Sequence, residues 1–222
     1  MTVSLFDVIG PIMVGPSSSH TAGAIRLGNM ARKVSGEAIQ AVKFYLHGSF
    51  ARTYRGHGTD RALLGGVLGL APADERIREA FQLARQQNIE YDFFTIDLGN
   101  VHPNTAHIMI TRKDGSTCEI SGSSIGGGKV VITSINKLPV EFSGNYTTTI
   151  VIHQDKPGVI AYTTSVFSHH HINIAFLRVF RQLRGQEASM IIETDEMVDH
   201  EVIATLQEYP DIKQILLIEP LP

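Results

Sequence analysis

The sequence predicts an α+β chain of two domains: a mixed α/β domain with a largely antiparallel sheet over residues 1–146, and a βαββαβ domain over residues 147–222. Three observations carry that prediction. Helix-period apolar stretches mix with strand-period alternation in the first part of the chain. The pattern loosens around Leu138 to Tyr146, where Pro139, Gly144 and Asn145 stand. Six further elements then arrive with short connections.

From Thr21 to Val34, the residues Leu27, Met30, Ala31 and Val34 fall at i, i+3, i+4 and i+7, with Arg26, Arg32 and Lys33 on other faces. This predicts an amphipathic helix. Ala41 to Leu46 alternates as a strand, and Asp60 to Leu70, rich in Leu and Gly, reads as a tightly packed helix. Asp74 to Asn88 opens with acidic residues, aligns Ile77, Ala80, Phe81 and Ala84, and ends at Asn88, a residue suited to a C-cap. Tyr91 to Leu98, Ala106 to Thr111, Thr117 to Ser121 and Val130 to Ile135 read as strands, with Lys113-Asp114-Gly115 as a hairpin turn. In the second domain, Thr147 to Gln154 is a strand and Gly158 to Phe167 a helix after Pro157. Ile174 to Phe180 and Ser189 to Thr194 are strands, His200 to Tyr209 a helix, and Ile212 to Ile218 the last strand. The order βαββαβ is the ferredoxin-like plan.

Bulk composition narrows the function. With 222 residues and 43% hydrophobic content, the chain can bury the cores of one large or two modest domains. Its net charge is −3, from 19 basic and 22 acidic residues mixed without a basic run, which argues against nucleic acid or an anionic membrane and for a small-molecule or protein partner. No apolar stretch approaches the roughly 20 residues of a membrane helix, and no basic segment followed by an apolar run opens the chain, so the expectation is a cytoplasmic protein. Cys118 is the single cysteine, within the alternating stretch Ser116 to Ile120, and reads as a half-buried small side chain. One thiol makes no internal disulfide and cannot hold an iron–sulfur cluster, which takes about four Cys ligands. Cluster chemistry would have to be shared with another chain.

The chemistry concentrates in short segments. Met13 to Gly23 reads Met-Val-Gly-Pro-Ser-Ser-Ser-His-Thr-Ala-Gly: a turn, then three hydroxyls and a histidine at a helix start. Such a run either caps the helix or holds an anion beside a titratable group. In Gly56-His57-Gly58-Thr59-Asp60, glycines flank a histidine and let a ligand approach, while Asp60 or Thr59 is placed to cap the next helix; a loop histidine without function is the alternative. His102-Pro103-Asn104-Thr105 lies between two strands, where Pro fixes the bend and Asn104 offers donor and acceptor. Gly122 to Lys129 fails the phosphate-loop spacing and reads as a flexible loop that approaches a ligand or a subunit. His169-His170-His171 has no regular metal spacing and reads as surface, so no metal ligands are assigned to this chain. Asp155-Lys156-Pro157-Gly158-Val159 forms a strand-to-helix turn able to receive an amino acid's carboxylate or amine.

Through Gly15-Pro16-Ser17-Ser18-Ser19-His20-Thr21, His57-Gly58-Thr59-Asp60 and His102-Pro103-Asn104, the chain resembles the beta subunits of iron–sulfur-dependent bacterial L-serine dehydratases, over essentially its whole length. Its second domain resembles an ACT regulatory module. Its first resembles the substrate-binding-like domain that precedes such modules in serine dehydratases and some phosphoglycerate dehydrogenases. The resemblance implies deamination of L-serine to pyruvate and ammonia together with an alpha subunit, whose cysteines, not this chain's, ligate a [4Fe–4S] cluster. It implies His57 as base or proton shuttle with Thr59 orienting it or the substrate, the roles of His57 and His20 being exchangeable. Ser17, Ser18, Ser19, His20 and Thr21 would hold the carboxylate or amine, with Asp60, His102 and Asn104 completing the pocket. Asp155, Gly158, Val159 and Asn173 would bind an effector, serine itself, where two ACT domains self-associate. A purely regulatory amino-acid-binding module is the alternative. A phosphoglycerate dehydrogenase fragment is a third reading, against which stands the lack of a G-x-G-x-x-G fingerprint after any predicted strand.

Overall fold

The computed structural model describes Met13, residues 17–36 and residues 38–221. The predicted Gly15-Pro16 turn lies outside the described residues. The chain divides into two compact units between Lys137 and Leu138.

The first unit opens with a stretch of π-helix, Ser18–Gly23, that runs into α1 (Ala24–Ser35). Then come β1 (Ile39–Leu46), α2 (Gly48–Thr53), α3 (Thr59–Val67), a 3₁₀ turn (Glu75–Glu79), α4 (Ala80–Gln86) and β2 (Glu90–Thr95). β3 (Thr105–Arg112), β4 (Thr117–Gly126) and β5 (Lys129–Ile135) follow. The strands lie in the order β2-β1-β3-β4-β5; β1 and β2 pair parallel, and the other neighbours pair antiparallel. Phe44, Leu46, Ile108, Ile110 and Ile120 alternate onto the buried face, each at most 3% exposed. Burying a side chain of that size contributes about 1.5–3 kcal/mol.

α1 and α3 touch backbone to backbone, because a Cβ on Gly28 would sit 2.2 Å from the Leu63 carbonyl and one on Gly66 2.1 Å from that of Ile25. The Leu/Gly composition of α3 therefore serves a close helix crossing.

Two sequence expectations change here, and one element is new. The helix expected over Asp74 to Asn88 begins as a 3₁₀ turn, because Asp74 accepts the Arg76 N–H at 2.9 Å and ties up the Arg76 guanidinium, favouring a tight local turn. It ends at Gln86 with Gln87 as the C-cap in place of Asn88, which lies one residue beyond and takes a left-handed φ of 54°. Gly122 to Lys129 is no flexible loop. β4 runs through Gly126 and β5 starts at Lys129, and a Cβ on Gly122 would lie 2.7 Å from Leu27 Cδ2 and 2.8 Å from Ile132 Cδ1. That glycine is there for close packing. The short helix α2 was not foreseen.

The second unit holds β6 (Leu138–Phe142), β7 (Thr147–Gln154), α5 (Val159–His169), β8 (Ile174–Arg181), β9 (Glu187–Thr194), α6 (His200–Gln207) and β10 (Ile212–Ile218). Its four-stranded sheet is ordered β10-β7-β9-β8 with every pair antiparallel, the ferredoxin-like arrangement expected. One face packs Val151, Met190 and Ile192 against Val159, Val166 and Phe167 of α5 and Val202 and Leu206 of α6. On β7 and β9, Ile150 and Ile191 alternate to the opposite face and are also buried, each 1% exposed. There the Ser189 hydroxyl donates to the Pro139 carbonyl at 2.7 Å, and the Ser143 N–H and hydroxyl reach Glu193 Oε1 at 3.4 Å. These bonds attach Leu138 to Tyr146 to the second unit.

Candidate active site

The π-helical stretch starts from Ser17, an extended residue whose Oγ accepts the His20 N–H. A π-turn is rare and is frequently found at functional sites. Here it turns the His20 ring inward. Ser17 Oγ lies 3.3 Å from Nδ1, and Ser49 Oγ, from the first turn of α2, lies 3.2 Å from Nε2. The ring stands edge-on to His57 at 4.9 Å and 86°, and to Phe50 at 5.3 Å and 69°. Only 9% of His20 is exposed. Burial, and secondarily the neighbouring His57, push its pKa below the ordinary 6.5.

His57 sits in the α2–α3 connection, exposed, with its backbone N–H bonded to the Thr53 carbonyl. The glycines around it differ. Gly58, at φ 70°, is the N-cap of α3 and takes a conformation that a side chain resists. That corrects the capping expectation, since neither Thr59 nor Asp60 is the N-cap. Thr59 is fully buried and its Oγ1 has no partner among the described residues. Asp60, buried in the first turn, accepts the Arg61 N–H at 2.8 Å; burial raises its pKa above 3.8, against the pull of that bond and of the Arg61 and Arg55 charges.

The third predicted segment joins through backbone. The Pro103 carbonyl accepts the Ser49 N–H at 2.7 Å, and a Cβ on Gly48, at φ 57°, would lie 2.6 Å from that oxygen. Ser124 donates its N–H to the Asn104 carbonyl at 3.0 Å, and its Oγ would be 2.0 Å from a Cβ on Gly23. Thus Ser17, His20, His57 and the Pro103-Asn104 turn come together, with Ser49 and Ser124 as the joints. His102 is exposed and its Nδ1 accepts the Asn104 N–H. Ser18 and Ser19 are half-buried in the π-turn. Thr21 Oγ1, Asn104 Oδ1 and Ser124 Oγ, like Thr59 Oγ1, are buried without partners among the described residues. Leaving such an atom unsatisfied costs about 1–3 kcal/mol, so ordered water or a ligand is expected to reach them.

Sequence reasoning passed over Ser49. Its signal was there in His47-Gly48-Ser49, a histidine, glycine and hydroxyl at a strand end, the composition of the other segments.

Cys118 is 3% exposed in β4, and burial raises its thiol pKa. A thiol so placed does not fit cluster ligation, which requires an accessible thiolate. Among the described residues no group of three His, Cys, Asp or Glu could hold a metal ion. His169 Nδ1 lies 2.7 Å from the Ser165 carbonyl, within its own helix turn.

In the second unit, Asp155 accepts the Gly185 N–H and an Arg181 Nη1 bond, each at 3.0 Å, which hold its pKa below 3.8. Gly158, at φ 99°, is the N-cap of α5, and Val159 is buried. Asn173 is elsewhere. It precedes β8, whose first residue is level with Thr194 and Thr147, whereas Asp155 follows the other end of β7. Within one chain these four residues make two separate corners, divided by the 11 residues of α5, about 16 Å. Beside Asn173, a cleft of about 450 Å³ is lined by Thr164, Ser168, His171 and Ile172.

Fold and site together define a class: an α/β unit with a histidine–hydroxyl site, followed in the chain by a ferredoxin-like unit. Residues 4–134 match the family model described as the serine dehydratase beta chain, and residues 147–211 match the ACT domain. The chain is 44% identical over 215 residues, 97% of each protein, to the probable L-serine dehydratase beta chain of Bacillus subtilis (strain 168). It is 44% identical over 194 residues, 87% of each, to the L-serine dehydratase beta chain of Peptoniphilus asaccharolyticus. A D-3-phosphoglycerate dehydrogenase of Bacillus subtilis is 26% identical, the match covering 87% of this chain and 37% of that enzyme. The chain belongs to the serine dehydratase beta chain family. Every residue of the His20–His57 site lies within the span matched by that family's model.

Proposed function

We propose that this chain is the beta subunit of a two-chain, cytoplasmic L-serine dehydratase, which deaminates L-serine to pyruvate and ammonia with an alpha subunit that ligates a [4Fe–4S] cluster. The observation that carries the reading is the edge-on pair of His20 and His57, set among hydroxyls within the matched span. The buried Cys118 supports placing the cluster on the partner.

L-Serine must lose its α-proton and its β-hydroxyl. An imidazole changes charge near neutral pH and serves as base there. His57 is exposed, whereas both ring nitrogens of His20 lie near serine hydroxyls. In this reading His57 removes the α-proton and His20 backs it. Ser17, Ser18, Ser19 and Thr21 hold the carboxylate or amine, and Asn104 supplies its unpartnered Oδ1 as an acceptor for the ammonium. Asp60 and Thr59 shape the floor, and exposed His102 the rim. Departure of the β-hydroxyl falls to the alpha subunit's side of the site. The released aminoacrylate tautomerises and hydrolyses to pyruvate and ammonia.

The second unit would bind serine as effector. Because Asp155, Gly158 and Val159 lie at one end of α5 and Asn173 at the other, a site using all four takes two copies of the chain, which is the reason to expect self-association.

Co-purification with the alpha chain, reconstituted anaerobically with iron, should give serine-to-pyruvate turnover. Full kcat/KM in both His57→Ala and His20→Ala complexes would sink the assignment.

A further inference from the structure

We propose that Ser49 is a positioning residue: its hydroxyl oxygen accepts the Nε2–H of His20, holding that ring in one tautomer and in its edge-on place against His57. The inference rests on the reading of this site as the one that acts on serine.

The hydrogen-bond order follows from Ser17. Its Oγ accepts the backbone N–H of His20 at 3.3 Å, and we assign its hydroxyl proton, for which Nδ1 at 3.3 Å is the acceptor at hand among the described residues, to that ring nitrogen. Nδ1 is then the acceptor and a neutral His20 carries its proton on Nε2. That proton points to Ser49 Oγ at 3.2 Å. A histidine's tautomer is set by the bonds its two nitrogens make, and here both bonds are to hydroxyls.

Ser49 is itself held. Its N–H donates to the Pro103 carbonyl at 2.7 Å, and its own carbonyl accepts the Thr53 hydroxyl at 2.8 Å. Gly48 comes so close to Pro103 that no side chain fits before it. The hydroxyl is thus carried on backbone anchored to the third site segment, which explains why the Pro103 turn, 46 residues beyond His57, belongs to the same site. A neutral His20 also matters to its neighbour. A cation 4.9 Å away would disfavour protonation of His57, the ring assigned to take up a proton.

The test has two arms. In the full-length chain with nitrogen-15 histidine, the His20 signals, assigned by their loss in His20→Gln, should show at neutral pH the proton on Nε2. Ser49→Ala should turn them into a tautomer mixture, and Ser49→Thr, which keeps the hydroxyl, should restore the single form. In the complex with the alpha chain, Ser49→Ala should lower kcat by on the order of tenfold to a hundredfold with KM moved far less, as expected when an orienting group is lost rather than a binding one. A wild-type His20 protonated on Nδ1 overturns the proposal, and so does a Ser49→Ala complex with wild-type kcat. If Ser49→Ala does not fold, the wild-type spectrum and Ser49→Thr still decide. A wild-type complex inactive on serine would refute the proposed function, while the nitrogen spectrum would still judge Ser49.

Discussion

The His20 corner of the first unit and the Asp155 corner of the second both gather polar side chains, yet they treat charge in opposite ways. In the first, an imidazole is buried between two hydroxyls with its pKa lowered, a nearby carboxyl has its pKa raised, and several hydroxyl and amide oxygens are buried without partners among the described residues. In the second, a carboxylate receives an N–H and a guanidinium, and its pKa falls. The first corner disfavours charge and leaves polar atoms unsatisfied, an arrangement that stabilises nothing until a ligand arrives. The second is already satisfied, so a ligand there competes with Arg181 and Gly185.

The largest effect expected from this contrast is on turnover. His57→Ala should lower kcat/KM for serine by about 10²–10⁴-fold, the usual worth of a general base, while Asp155→Asn leaves basal turnover in place. Pyruvate formation by the reconstituted complex measures both, and equal losses would erase the distinction.

Next come the backbones that build each corner. Gly23→Ala drives a methyl into Ser124 Oγ and should destabilise the chain by about 1–3 kcal/mol through overpacking. Gly158→Ala meets only the Tyr209 hydroxyl, at 3.1 Å, but must hold φ at 99°, a strain of about 1–2 kcal/mol. Denaturant unfolding reads both. A Gly23→Ala chain as stable as wild type would show that the first corner is loosely built.

Acid should then separate the corners. Because the His20 pKa is lowered below 6.5, the unfolded chain binds more protons than the folded one just below pH 6.5, so stability falls as pH drops through that window. His107, also lowered by burial, acts in the same direction. Asp60 acts oppositely. With its pKa raised above 3.8, the folded chain holds that proton longer, so stability falls as pH rises through the range just above 3.8. Unfolding midpoints of wild type and His20→Gln between about pH 7.5 and 5.5 should converge on acidification, the variant being less acid-sensitive. An unchanged slope would mean that His20 is not held neutral.

The smallest effect belongs to the second corner. Asp155→Asn should barely move the unfolding midpoint, because its partner Arg181 is largely exposed and such pairs contribute little. Its consequence should appear in calorimetric titration of the full chain with serine, where a wild-type response that the variant shares would remove Asp155 from effector binding.

Much of this was legible in the residues. Alternation and helical period located most strands and helices, and the βαββαβ order with its Pro157-Gly158 turn indicated the second unit's topology. His20, His57 and Pro103-Asn104 stood out as chemistry-bearing segments. The errors came where composition stood in for contacts. Gly122 to Ser124 look like loop residues, but Gly122 has no room for a Cβ and Ser124 is fully buried, so the strand continues. Ser49 shows in the sequence only as the hydroxyl of a His47-Gly48-Ser49 strand end, and its importance comes from what Pro103 and His20 do to it.

By itself the sequence determined the kinds of element, their order and the inventory of reactive side chains, because propensity, periodicity and turn chemistry act between neighbours in the chain. Only the tertiary structure decided that residues 17, 20, 49, 57 and 103 meet, that His20 is buried between two hydroxyls, and that Asp155 and Asn173 stand at opposite ends of a helix. Those outcomes depend on strand register and on glycine-permitted close approach, and both are settled by packing between segments far apart in sequence.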